Sequence, residues 1–266
     1  MGRRRAPGRR RTREQRPDSV TVLVLALIAG AVIGLALGAL GGGGSVLAVP
    51  ALIYLLGFTP AAATTASLII VTATSVTALY AHTRDGNVAW KTGALFAAAG
   101  IVPAFLAGAV AGNLPEAVLT SAFAIIAALA ALRMLRPSAS KPPERIRRGE
   151  AVGAGAGLGA VTGFLGVGGG FLAVPALVSV LGLAMRRAVG TSLLVITVNS
   201  LAALAARTGT DSGLHWEIIG PFTGAAILGA WDGKRLATKI SGTTLQRVFA
   251  GVLLAVAAFM LVDVII

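Results

Sequence analysis

Gly41-Gly42-Gly43-Gly44-Ser45-Val46-Leu47-Ala48-Val49-Pro50-Ala51-Leu52 returns 125 residues later as Gly166-Val167-Gly168-Gly169-Gly170-Phe171-Leu172-Ala173-Val174-Pro175-Ala176-Leu177. The same offset pairs Gly30, Gly34, Gly38 and Gly57 with Gly155, Gly159, Gly163 and Gly182, and Ser67-Leu68 with Ser192-Leu193. One added residue brings Trp90 onto Trp216. The chain is therefore an internal duplication, and each copy holds a glycine break followed by a short apolar stretch.

Around the two breaks the sequence is apolar. Of 266 residues 56% are hydrophobic and 12% charged, about half the charge of an ordinary soluble domain. Apolar segments at about 20–40, 61–81, 90–111, 115–135, 151–165, 188–206, 216–231 and 245–266 include several of 18 residues or more, enough to cross a bilayer core of about 30 Å. The stretches at about 46–57 and 171–182 reach only about 18 Å as helices, so each dips and returns or completes a broken helix. The expected fold is an all-α integral membrane protein of two homologous repeats, with about eight transmembrane helices and two short broken or re-entrant ones. Its parts are a basic tail over 1–18, a first repeat over 19–135, a basic linker over 136–150 and a second repeat over 151–266.

The net charge of +13 is concentrated. Eight arginines precede residue 18, and Arg133, Arg136, Lys141, Arg145, Arg147 and Arg148 crowd the linker. The tail abuts an apolar helix, which favours cytoplasmic anchoring on anionic lipid over a nucleic-acid arm. No nucleic-acid partner is expected. With the N-terminus and the linker both cytoplasmic, eight crossings fit the first half but leave Arg186, Arg187, Lys234, Arg235 and Lys239 outside, a conflict that vanishes if the short segment there crosses fully.

The chemistry follows from the glycines. Gly30, Gly34, Gly38, Gly155, Gly159 and Gly163, spaced by four, form a packing stripe for close helices. The contiguous runs instead unwind the backbone, which lipid cannot satisfy, so they are expected to line a cavity and present helix N-termini to an anion. Gly42, Gly43, Gly44 and Ser45 form the first candidate site, Gly168, Gly169 and Gly170 the second. Pro50 and Pro175 are placed within the first turns of the short helices. The recurrent hydroxyls Ser67 and Ser192, with Thr191 and Asn199, complete the candidate binding residues; for any single hydroxyl, bonding to the carbonyl one turn back is the competing structural role. A phosphate loop fails because no Lys-Ser or Lys-Thr pair follows the glycines, and a dinucleotide fingerprint lacks its acidic partner. There is no cysteine, paired carboxylate or HExxH pattern, so no catalytic residue, metal or cofactor is assigned. His82 is placed at a helix end with Arg207 as its counterpart.

The doubled glycine run leading into Val-Pro-Ala-Leu, the helices of each half and the basic linker resemble the sulfite exporter TauE/SafE family of bacterial membrane permeases. The second copy, with Gly190-Thr191-Ser192-Leu193 after it, follows the pattern more closely than the first, where Thr65-Ala66 replaces Gly-Thr. The resemblance implies a bacterial plasma-membrane transporter of small sulfur-containing anions such as sulfite or sulfoacetate, with a coupling proton or ion. A passive anion channel or an accessory membrane subunit are the alternatives.

Overall fold

The computed structural model describes residues 19–111, 116–135, 148–164, 170–205 and 214–265, which form ten α-helices. They are α1 (Ser19–Leu40), α2 (Gly43–Pro50), α3 (Pro60–Arg84), α4 (Trp90–Ala111), α5 (Glu116–Leu135), α6 (Arg148–Phe164), α7 (Gly170–Ser179), α8 (Met185–Ala205), α9 (Trp216–Lys239) and α10 (Gly242–Ile265). No strand occurs among the described residues. Among the described residues five stretches are long and apolar enough to cross a membrane: Val20–Leu40, Ala62–Arg84, Trp90–Ala107, Met185–Ala205 and Gly242–Val262. Large apolar side chains face outward, as at Phe105 and Leu228, while Phe96, Phe222, Phe249 and Leu193 are buried between helices.

Helix ends follow local chemistry. Gly41 adopts φ +70° and stops α1, a conformation that costs glycine least. Thr59 caps α3, its hydroxyl accepting from the Ala62 amide at 3.3 Å, with Pro60 at the first helical position. Pro50 lies at the far end of α2, not in its first turn, and Pro175 is in the middle of α7. Pro50 can make no bond to the carbonyl four residues back, and a wide π-helical turn at Ala51–Leu55 follows it directly.

The small-residue stripe packs as its spacing predicts for five of its six glycines. A Cβ at Gly30, Gly34 or Gly38 on α1 would strike the backbone of Phe222, Ala226 or Ala230 on α9. On α6, Gly155 and Gly159 lie against Phe96 and Gly100 of α4 in the same manner. In both pairs the contacts advance together along the two helices, so each pair is parallel.

Helix directions follow from such contacts. The ring of Phe58, just ahead of α3, meets that of His215 at the start of α9, while Ala81 meets Lys234 near both C-terminal ends, so α3 runs parallel to α9 and hence to α1. Ser75 meets Thr197 and the His82 Cβ approaches Gly190, so α8 is antiparallel to α3. Gly93 of α4 lies on Thr191 and Leu194, which starts α4 and its partner α6 at the same end as α8. Gln246 of α10 donates to the Met134 carbonyl of α5, joining the end of α5 to the start of α10. Because α1 and α3 are parallel, α2 must carry the chain back between them. Leu47, Pro50 and Tyr54 accordingly share a groove with Ala29 and Ile33.

One end of the bundle therefore holds the C-terminal ends of α3, α5 and α9 and the N-terminal ends of α4, α6, α8 and α10. All ten described Lys and Arg residues, among them Arg84, Lys91, Arg133, Arg186, Lys234 and Arg247, lie at this end. The opposite end, where α1 starts, carries Glu217. The tail and most of the linker lie outside the described residues, but the helices that bound them start and stop at opposite ends. Within the described residues, α2 returns the chain between α1 and α3 and does not dip back to the end it left.

Candidate anion pathway at the first glycine turn

The turn between α1 and α2 rests on the other half of the molecule. A Cβ at Gly41 would collide with Ser192 Oγ and come within 3.3 Å of Val174 and of the Val189 carbonyl oxygen. Gly42 is buried beside it, and Gly43, Gly44 and Ser45 form the first turn of α2. Ser192 is fully buried and donates to the Val189 carbonyl at 2.7 Å. Thr191 accepts from the Ala89 amide at 3.0 Å and donates to the Arg187 carbonyl, tying the start of α4 to α8. Gly42, Thr191 and Ser192 are thus brought to one region.

Gly168 and Gly169 fall outside the described residues, and Gly170 begins α7. Pro175 is buried, while Pro50 and Asn199 are half-buried. Ser67 is buried and donates to the Thr64 carbonyl at 2.8 Å. The antiparallel crossing of α3 and α8 sets Ser67 and Ser192 about 20 Å apart along the bundle, at about 1.5 Å per residue. One small anion cannot touch both.

Between them Thr197 Oγ1 lies 3.0 Å from Ser75 Oγ. The 125-residue offset makes Thr72 with Ser200 the equivalent pair, yet Thr72 Oγ1 is buried with no hydrogen-bond partner among the described residues. Ser67, Thr74, Ser75, Thr77, Thr191, Ser192 and Thr197 all donate to carbonyls three or four residues back. Thr72 is the hydroxyl along α3 left with a donor to spare.

Toward the basic end a half-open cavity of about 350 Å³ is lined by Tyr80, Arg84, Asp85, Trp231, Lys234 and Arg235. Lys234 Nζ pairs with Asp85 at 2.9 Å and donates to the Ala81 carbonyl at 2.6 Å. Arg84 donates to the Tyr80 hydroxyl at 2.7 Å and stacks on its ring, so its charge has no carboxylate partner there. Arg235 pairs with Asp232 at 3.4 Å, so Arg84 supplies the positive charge left over at the mouth. A much smaller cavity behind it is lined by His82, Asp85, Asn87, Arg186 and Lys234. His82 is 4% exposed, with Nε2 3.2 Å from the Gly38 carbonyl oxygen. The sequence places His82 at a helix end, where it and the aligned Arg207 offer two cationic groups to one pore mouth against a default role at the solvent, and it gives Lys234 no site role. The one hint was that the charged cluster at 232–235 falls on a stretch otherwise periodic enough to remain helical. Among the described residues no three His, Asp or Glu side chains cluster as a metal site.

Residues 26–260 match the family described as Sulfite exporter TauE/SafE. A "Probable membrane transporter protein" of Xylella fastidiosa strain 9a5c is 34% identical over 252 residues, covering 91% of this chain and 96% of that one. The counterpart in strain Temecula1 shares the same identity and coverage. "Probable membrane transporter protein YunE" of Bacillus subtilis strain 168 is 26% identical over 250 residues, covering 84% and 88%. With its doubled glycine run, its apolar helices and a family match over nearly its whole length, this chain belongs to the sulfite exporter TauE/SafE family of membrane transporters.

Proposed function

We propose that the chain is a secondary transporter of small anions, with sulfur oxyanions and organosulfonates such as sulfite and sulfoacetate as the substrate class, working by alternating access in a bacterial plasma membrane. The observation that carries this reading is the 350 Å³ mouth, where Arg84 stands without a carboxylate partner beside the Lys234–Asp85 and Arg235–Asp232 pairs. The sulfur chemistry rests on family membership.

The packing supports two repeats of five helices, inverted with respect to each other. The offset converts α1 on α9 into α6 on α4, both parallel and both closed on glycine. The aligned Trp90 and Trp216 are exposed at opposite ends, where indole rings suit the two membrane interfaces. The count of crossings is then ten, two of them short. The positive-inside rule assigns the end with ten described cations to the cytoplasm. The sequence between α5 and α6 carries four more cations, and together they outnumber the eight arginines ahead of α1.

Purified protein in liposomes tests the function. Sulfite uptake is expected to saturate, with affinity on the order of micromolar to millimolar, and to be inhibited by sulfonates and thiosulfate but not by cations. Large single-channel currents would favour the channel, and absence of flux the accessory subunit.

A further inference from the structure

We propose that His82 carries the coupling proton, binding it at Nδ1 when an anion enters and releasing it when the anion leaves; this rests on the anion-transport reading above. The geometry fixes the tautomer. A carbonyl oxygen only accepts, so the contact with the Gly38 carbonyl requires the hydrogen on Nε2. Neutral His82 therefore holds its lone pair on Nδ1, a buried atom without a partner among the described residues. A buried polar atom left unpaired is costly and marks a position where something binds.

The cavity that His82 lines has room for about one water-sized molecule. Water can deliver a proton to it, while an oxyanion must wait in the larger mouth. The Lys234–Asp85 pair and Thr238 border both spaces, so anion and ring would be separated by a single layer of side chains.

The charged groups facing the ring are Asp85 at the end of α3, Arg186 on α8 and Lys234 on α9; α1 and α10 contribute only Ala39, Leu245 and the Gly38 carbonyl. Each charge is already engaged. Lys234 holds Asp85 and the Ala81 carbonyl, and Arg186 donates to the carbonyls of Thr238 and Ile240. An added proton on Nδ1 creates an imidazolium with no carboxylate of its own, and the incoming anion supplies the missing negative charge. Proton and anion then favour each other's binding reciprocally. The proton comes from water and returns to water, and no covalent bond changes besides N–H. The Nε2–H bond to α1 persists in both states, so the ring stays tied to the α1–α9 unit while its charge alternates.

Methanesulfonate, sulfate and thiosulfate do not titrate near neutrality, so any proton taken up with them belongs to the protein. Each is titrated calorimetrically into purified protein at a series of pH values from about 6 to 8, spanning the ordinary imidazole pKa of about 6.5, in two buffers of different ionisation enthalpy. Net proton uptake on anion binding is expected for the wild type within this range. H82Q and H82N, neither of which can be protonated, should bind with no uptake. Anion binding by the wild type without proton uptake, or uptake unchanged in either variant, overturns the His82 assignment and leaves anion transport standing. Binding of none of the three anions overturns both. If neither variant folds, the His82 ring resonances of the wild type decide: they should shift to the imidazolium form on anion addition, and no shift overturns the assignment.

Discussion

At the scale of single residues, the contrast between Thr72 and Thr197 separates binding from stability. Both are buried hydroxyls at the α3–α8 crossing, but Thr197 is bonded on both sides, and Thr72 Oγ1 has no partner among the described residues. Removing an unsatisfied buried group is neutral or favourable, whereas removing half of a made bond costs about 0.5–1.5 kcal/mol. Thr72→Val should therefore melt at or above the wild-type temperature while weakening anion binding about two- to twelve-fold. Thr197→Val should lower the melting temperature. Equal losses of stability in both would deny Thr72 a ligand role. Ser67 and Ser192, which the sequence singles out because they recur, already give their protons to carbonyls. Recurrence reports the repeat; only coordinates report which hydroxyl is spent.

Gly41 makes a second test at this scale. Its φ of +70° and its contact with Ser192 both exclude a side chain, so Gly41→Ala should cost more than about 1 kcal/mol in thermal unfolding. Shortening the neighbour in Gly41→Ala with Ser192→Ala should recover only the steric part. Full recovery would show that the backbone conformation contributes nothing.

At the scale of elements, most helices were legible because the punctuation is chemical. Charges, Pro and Gly mark the ends of α1, α4 and α5 to within about two residues, as the expected spans 20–40, 90–111 and 115–135 show against the observed ones. The end of α9 was hidden: it runs on to Lys239, past Asp232, Lys234 and Arg235, because Lys234 and Arg235 line a mouth shared with α3 and Asp232 pairs with Arg235 one turn on, so these charges need not end the helix. The direction of α2 was hidden for another reason. An apolar stretch of a dozen residues has the same composition whether it dips or returns, and only its contacts with α1 distinguish the two. Packing glycines can be tested by pairs of substitutions. Gly34→Val should drive α1 from α9 and destabilise the protein by about 1–3 kcal/mol or more. Gly251→Ala on α10, where a Cβ meets nothing, should be neutral or stabilising by up to about 1 kcal/mol. If the two variants melt alike, the close α1–α9 contact is not what the glycines are for.

For the whole molecule, the inverted arrangement predicts which residues share a side of the membrane. Cysteines at Glu150 and Ser241 should both resist an impermeant thiol reagent in intact cells, and one at Glu217 should react. The chain has no native cysteine to confuse the reading. Labelling of Glu150→Cys and Glu217→Cys from the same side would refute the arrangement.

The pairing of α1 with α9 also has a consequence for how the protein is made. The first helix to leave the ribosome finds its partner only after about 190 further residues, which at about 5–20 residues per second is about 10–40 s. During that interval its glycine face has nothing but lipid against it. A nascent chain stopped after α8 should therefore carry an orphaned first helix, open to membrane chaperones and quality-control proteases, and the N-terminal half expressed alone should be short-lived in the cell.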